Sequence, residues 1–256
     1  MRKLINKIIK PFGYVLLRQR YVDGLAKFQA AHRDMAFLQA MPTALAGELL
    51  SLLPESKSQL RQDLFVLSEL GFRRGGFFVE FGAASGLELS NTWLMEKKFG
   101  WSGILAEPAR CWHARLAANR SCLVEHDCVW SQTGQRLDFA EAEEAEISTL
   151  SDFKDADMHS KSRRSSRHYA VRTISLNDML EKHSAPREID YLSIDTEGSE
   201  LEILRSLDFD KYQFKVITCE HNHTSSRALI HDLLSGAGYV RKHTELSDFD
   251  DWYVRR

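Results

Sequence analysis

Between residues 77 and 108 the chain reads FFVEFGAASGLELSNTWLMEKKFGWSGILAEP. An apolar run closes on Glu80, a turn carries Gly82 and Gly86, a helix-like segment follows, and a second apolar run closes on Glu107. Two strands joined through a helix lie parallel, because parallel neighbours need a long crossover connection. Near-continuous apolar runs suit strands covered on both faces. The same rhythm continues downstream. GILAE, CLVEHDCVW, RLDFAE, IDYLSID and KVITCE read as strands, while RCWHARLAANR, SELEILRSL and RALIHDLLSGAG read as helices. The closing pair, YVRKHTE and DWYVRR, has no helix between its members and predicts an antiparallel hairpin at one sheet edge. The expected fold is α/β, a Rossmann-like, mostly parallel seven-stranded sheet.

A helical preface leads into this core. ALAGELLSLLPES reads as a helix stopped by Pro54. Ser56 or Ser58 then caps QLRQDLFVLSELGF, whose Leu60, Leu64, Leu67 and Leu70 keep helical spacing. Gly71, Gly75 and Gly76 end it. We expect an N-terminal extension over 1–55 and one domain over 56–256.

Two local charge asymmetries hide in a net charge of -2, which itself argues against general nucleic-acid binding. The first twenty residues hold six Lys or Arg and no acid. Leu4, Ile5, Ile8, Ile9 and Phe12 share one helical face, with Lys3, Lys7 and Lys10 off it. Lys7, Lys10 and Pro11 break the run, so it cannot span a bilayer, and no cleavage site of a secretory signal follows. The segment predicts either peripheral contact with an anionic membrane surface or packing against protein. The expected location is cytoplasmic, at the inner membrane face if that contact forms. Cys111, Cys122, Cys128 and Cys219 form no C-x-x-C pair and read as reduced thiols in or near the core.

The second asymmetry is a charged insertion over 138–172. Asp138, Glu141, Glu143, Glu144, Glu146, Asp152, Asp155 and Asp157 precede Lys161, Arg163, Arg164, Arg167 and Arg172. It reads as a solvated, partly disordered insertion or as a lid or acceptor-binding loop whose basic half faces an anionic substrate.

The glycine turn after the first strand lets a ligand approach the backbone, and an acid ending the second strand suits ribose hydroxyls. A dinucleotide fingerprint fails, since Ala84 and Leu87 stand where its second and third glycines belong. Glu80 before the turn suits a cationic amino-acid tail and repels a pyrophosphate. The balance favours S-adenosylmethionine over NAD. An NAD-dependent oxidoreductase and an inactive, membrane-linked cofactor-binding scaffold are the alternatives.

Two blocks, GFFVEFGAASGLELSNTWLMEKKFGWSGILAEP and IDYLSIDTEGSELEILRSLDF, closely resemble the FkbM family of S-adenosylmethionine-dependent methyltransferases. SQLRQDLFVL fits one branch of that family, and the likeness runs over about 56–254. D-x-E-G-x-E, from Asp195 to Glu200, is its most specific part. The resemblance implies a class I methyltransferase fold and O-methylation of a sugar, glycan or related small molecule, in polysaccharide or secondary-metabolite biosynthesis. It implies that Glu80, Gly82, Ala84 and Gly86 line the methionine end and that Glu107 holds the ribose. Asp127 and Cys128 fall at the adenine edge. Ser90 and Asn91 either reach the cofactor carboxylate or cap the following helix.

A hydroxyl acceptor must lose its proton, and two arrangements offer this. In one, His221 or His223 is the base, with a carboxylate such as Asp195 orienting it. In the other, Asp195, Glu197 and Glu220 hold a divalent cation such as Mg that acidifies the hydroxyl. We favour the base. Glu200 reads as a helix-capping carboxylate, Trp93 and Trp101 as core, and Trp130 as a wall for acceptor or adenine. Oligomeric state is not legible.

Overall fold

The structure, a computed structural model, describes residues 5, 7, 10–142, 148–153 and 166–256. Residues 1–4, 6, 8 and 9 of the basic N-terminal segment, Lys3 among them, lie outside the described residues, as do Glu143, Glu144, Glu146, Asp155, Asp157, Lys161, Arg163 and Arg164.

In chain order the strands are β1 (Phe77–Phe81), β2 (Ser102–Ala106), β3 (Leu123–Glu125), β4 (Cys128–Trp130), β5 (Arg136–Glu141), β6 (Thr149–Leu150), β7 (Arg167–Ser175), β8 (Glu188–Ile194), β9 (Gln213–Glu220), β10 (Tyr239–Lys242) and β11 (Asp250–Arg255). Seven of them form the central sheet in the order β10-β11-β9-β8-β1-β2-β3. Only β11 runs antiparallel, paired with β9 on one side and β10 on the other. This is the strand arrangement of class I methyltransferases. Strand order reverses between β1 and β8, which pair in parallel and open a crevice at their carboxyl ends.

Helices cover both faces. Leu176–Lys182, Glu200–Ser206 and Ser226–Gly236 help bury one face, where Ile194, Leu204, Phe214 and Tyr253 pack. The other face carries Gln62–Glu69, Trp93–Phe99 and His113–Asn119. Phe37 of the long helix Gln19–Ala40 and Leu49 and Leu52 of Ala46–Leu52 belong to the same buried cluster as Phe65, Phe78 and Trp252. The first half of Gln19–Ala40 leaves the body: Tyr21, Leu25 and Phe28 are exposed.

CLVEHDCVW does not form one strand. His126 and Asp127 break it, and β4 leaves the central sheet to pair with β7. The charged insertion also differs from expectation, since its ends are strands. β5 and β7 pair antiparallel, Asp138 opposite Ala170, in a small sheet of order β4-β7-β5-β6. Phe139, Leu150 and Val171 supply that sheet with its own apolar cluster. The sparse apolar residues alternate, and alternation suffices where one face is solvated. Of the cysteines, Cys128 and Cys219 are buried but Cys111 is exposed.

Candidate active site

The turn after β1 is held by backbone. At Gly82, φ 66, a Cβ would lie 1.9 Å from the carbonyl oxygen of Asp195. Only glycine lets the turn pass the end of β8 so closely. Ala84 is also left-handed, at φ 45, and its N–H donates to Glu107 Oε2 at 2.7 Å. Glu107 Oε1 accepts from Ala109 N–H at 2.7 Å. Burial pushes the Glu107 carboxyl up to about 7, against those two hydrogen bonds. Beside it lies an apolar cavity walled by Phe81, Pro108, Cys128, Val129, Phe139 and Leu150. Burial also pushes the Cys128 thiol up to about 12, so it lines this wall as a neutral group.

A second, polar cavity of about 290 Å³ opens on the other side of the turn. The two share Phe81, Gly82, Ala84, Asp195 and Glu197, so they are two lobes of one cleft. Acids line the polar lobe: Asp195, Glu197, Glu220 and Asp250, with Gln62, Asn91 and Asn222 among them. Among the described residues no Lys or Arg lines it.

Asp195, Glu197 and Glu220 bring carboxylate oxygens within 4.8 Å of one another. Asp195 and Glu220 share a hydrogen bond. Burial drives Asp195 up to about 6, with the charges of Glu200 and Glu80 adding to the rise. Burial and the Asp195 and Glu197 charges hold Glu220 well above the carboxylate range. Asp250 rises to about 8 by burial, although Gln62 Nε2 donates to its Oδ2 at 3.0 Å. The cluster therefore favours the protonated form at Glu220 and Asp250 more than at Asp195. Three buried polar atoms on residues lining this lobe have no partner: Asn91 Oδ1, Glu220 Oε2 and Asp250 Oδ1.

The D-x-E-G-x-E turn divides its labour. Glu197, left-handed at φ 59, faces the polar lobe and accepts from Asn222 Nδ2 at 3.2 Å. Glu200 turns inward, where Oε1 accepts from the N–H groups of Thr196 and Gly198 and from the Thr196 hydroxyl.

Other expectations require correction. Gly86 does not line the cleft; its missing Cβ makes room for Leu116 and Arg120 at 2.5 and 2.6 Å. Asp127 stands outside both lobes, 3.7 Å from Arg172, because the break before β4 turns it aside. His221 lies just beyond the strand that ends at Glu220 and turns toward Asp251. It is buried 3.8 Å from Asp251, and its own burial lowers it to about 4. His223 is half-exposed beside Asp248, since left-handed Asn222 and His223 bend the chain away. Neither histidine reaches the carboxylates.

Glu80 borders the polar lobe but is already engaged. It accepts from Thr92 Oγ1 at 2.5 Å, Ser90 Oγ at 3.1 Å and Asn91 N–H at 2.6 Å, with fully buried Arg120 at 3.6 Å. Ser90 Oγ also accepts from Trp93 N–H at 3.1 Å, so it caps the helix Trp93–Phe99. Asn91 donates to Ser193 Oγ at 3.0 Å. Trp130 packs on Phe153 at 5.8 Å rather than walling a lobe. Trp101 is core, as expected.

Sequence reasoning missed Gln62 and Asp250. Asp250 starts its strand, and strand-starting residues usually lie far from this rim; β11 runs antiparallel, so Asp250 pairs with Glu220. The expected hairpin supplies a reversed strand, but no local signal says which of its two strands lies against β9.

The profile of the Methyltransferase FkbM domain matches residues 80–248, most of the chain and all of the cleft turns. The chain belongs to the FkbM methyltransferase family. As a member it is a methyltransferase dependent on S-adenosylmethionine, which removes the oxidoreductase reading. No curated protein matches the sequence. Among solved structures, this FkbM methyltransferase is similar to a Methyltransferase FkbM from Methylobacillus flagellatus, at 15% identity, covering 98% of this chain and 70% of the other, TM-score 0.47. It is similar to a precorrin-6Y C5,15-methyltransferase from Geobacter metallireducens at 12% identity, covering 75% and 85%, TM-score 0.39. A TehB-like SAM-dependent methyltransferase from Corynebacterium glutamicum shares 7% identity, with 84% and 97% covered and TM-score 0.39. Among the described residues no helix is long and apolar enough to cross a membrane.

Proposed function

We propose that this FkbM methyltransferase methylates a hydroxyl of a sugar or glycan, with Asp195 as the general base. The carrying observation is the acid-lined lobe, in which Asp195 combines a place on both lobes with a carboxyl at about 6. The residues suit the cofactor. The apolar lobe with Glu107 at its edge takes adenosine, with Cys128 against the ring and Glu107 on the ribose. The polar lobe, with its orphaned acceptors and excess of acids, takes a cationic amino-acid end between Gly82, Ala84 and Asn91. Bound S-adenosylmethionine supplies an electrophilic methyl group on a sulfonium.

The residues do the rest by position. Asp195 accepts the acceptor proton as the new O–C bond forms, a contribution of about 10²–10⁴-fold. Protonated Glu220 donates its hydrogen bond to Asp195 and so holds the base carboxyl in place. Gln62, Asn91 and Asn222 offer the paired donors and acceptors that a polyhydroxylated acceptor needs. On this reading 56–256 carries methyl transfer and 1–55 serves acceptor delivery, in polysaccharide or secondary-metabolite biosynthesis.

The test is methyl transfer from labelled S-adenosylmethionine to a panel of sugars, with the product located by mass spectrometry. Methylated oxygen in wild type and none in Asp195→Asn is expected. Methylation only of amines or carbons would refute the hydroxyl assignment.

The closeness of Asp195, Glu197 and Glu220 favours a second reading, in which these oxygens hold a hard divalent cation such as Mg that acidifies the hydroxyl. EDTA separates the two. Unchanged turnover supports the base, while loss restored by added Mg supports the cation.

A cytoplasmic peripheral location is also part of the proposal. Tyr14, Val15, Leu17, Tyr21, Val22 and Leu25 are exposed in a stretch that also holds Lys10, Arg18 and Arg20. Such a segment suits an anionic bilayer surface, at roughly 1 kcal/mol per basic residue. Glutamate at Lys10, Arg18 and Arg20 should abolish co-sedimentation with phosphatidylserine vesicles; undiminished sedimentation would remove the membrane from the reading.

A further inference from the structure

The polar lobe does not end at the cleft. An outer hollow of about 540 Å³ adjoins it, and Gln59 lines both. A far hollow of about 530 Å³ shares His32, Arg33 and Asp248 with the outer one. Together they make a trough from Asp195 along the helix Gln19–Ala40. We propose that this trough holds the glycosyl units of an uncharged oligosaccharide acceptor, whose terminal sugar enters the polar lobe. The inference rests on the hydroxyl-acceptor reading above and narrows it from any sugar to a chain of several units.

Charge argues for an uncharged ligand. Arg33, Arg61 and Arg227 are matched in the outer hollow by Asp34, Glu245 and Asp248, three of each sign. Arg61 is held by Asp34 through two hydrogen bonds of 2.8 and 3.2 Å, and Arg227 by Asp251 at 2.8 Å. An anion would meet Arg61 and Arg227 already paired, whereas hydroxyl groups can both donate to the carboxylates and accept from the guanidiniums. Phe37, Leu60 and Leu246 give the hollow an apolar floor for the C–H faces of a sugar ring.

At the far end Phe28 is 69% exposed, and its ring lies 6.4 Å from that of His32. A large aromatic surface left to solvent beside a polar trough is a stacking platform. Backbone strain sits at the junction: Arg61 is left-handed at φ 70, directly between Leu60 of the outer hollow and Gln62 of the polar lobe. Such strain persists where surrounding contacts fix it, here the Asp34 pair. Much of the trough wall, residues 28–37 and 59–61, lies outside the family match at 80–248. Acceptor choice would thus be built largely from chain that the family domain does not include.

The test compares a neutral methyl glycoside with its disaccharide, its trisaccharide and a sugar phosphate. Each is assayed for methyl transfer and, by saturation-transfer NMR, for binding to protein loaded with S-adenosylhomocysteine. We expect kcat/KM to rise about tenfold or more from mono- to trisaccharide. Phe28→Ala and Arg33→Ala, both at exposed positions, should each erase most of that ratio, and Ala36→Trp should do so by filling the hollow. Equal kcat/KM at every length, or variants that lower mono- and trisaccharide alike, would overturn the subsites while leaving hydroxyl methylation standing. Preference for the sugar phosphate would overturn the uncharged ligand. No binding or methylation of any saccharide would overturn the parent reading as well.

Discussion

Two groups of acids lie at the ends of the neighbouring strands β1 and β8 and behave in opposite ways. Both oxygens of Glu80 have partners from the chain: two hydroxyls, one backbone N–H and the guanidinium of Arg120, which also meets Glu96 at 2.6 Å. Around Asp195, four acids face a cavity that no cation lines among the described residues, and two of their oxygens have no partner. A paired buried charge holds structure together. An unpaired one is tolerated only by taking up a proton or meeting a ligand, and the raised carboxyls of Asp195, Glu220 and Asp250 show the first response. Acids whose carboxyls are raised at a cavity therefore mark the chemistry better than acids that are merely buried.

Breaking the paired group should hurt the fold most. Arg120→Met leaves Glu80 without its cation in the interior, while Glu96 keeps Lys97 at 2.8 Å; the loss is about 3–5 kcal/mol, measurable by urea unfolding. Stability within 1 kcal/mol of wild type would erase the distinction. Conversely, Asp195→Asn should lower kcat by about 10²–10⁴-fold while leaving cofactor affinity and melting temperature nearly unchanged. A mutant that unfolds instead would place Asp195 with the structural acids.

The pH dependence sharpens the contrast further. Since Asp195 titrates at about 6, kcat/KM should fall tenfold per pH unit below that value and level off above it. A midpoint near 4 would mean an ordinary carboxylate. Stability should run the other way. Asp250 has a raised folded pKa, so its proton stabilises the native state at low pH and this contribution is lost as pH climbs toward 8. Each such carboxyl costs roughly 1.4 kcal/mol per pH unit across its window. Asp250→Asn, which keeps an oxygen for Gln62, should flatten the decline in melting temperature between pH 5 and 8. Smallest of all, Glu200→Gln preserves an oxygen for Thr196 and Gly198, so we expect turnover within about threefold of wild type, a change of well under 1.4 kcal/mol.

Local pattern disclosed the paired group's strand and the frame of the site, but not which acids were which. Glu80 and Asp195 look alike in sequence, each closing an apolar run. What separates them is Arg120, forty residues beyond Glu80 at the end of another helix and recognisable only once Gly86 has let that helix approach. The histidines after β9 failed for a related reason. Their position at a strand end was legible, whereas the direction they take depends on how the chain turns beyond Glu220, through two left-handed residues.

The sequence by itself determined the alternation of strands and helices, the Gly82 turn, the acids at the ends of β1, β2, β8 and β9, and the family. These are local matters, set by apolar runs and by where a Cβ is forbidden. Tertiary structure alone decided that β11, rather than β10, lies against β9 and brings Asp250 to Glu220. It also decided that Arg120 neutralises Glu80 and that the helix Gln19–Ala40 lies along the cleft mouth. Each depends on contacts between segments distant in the chain, whose energies are set by burial and by the presence or absence of a partner charge, and no short stretch of residues records either.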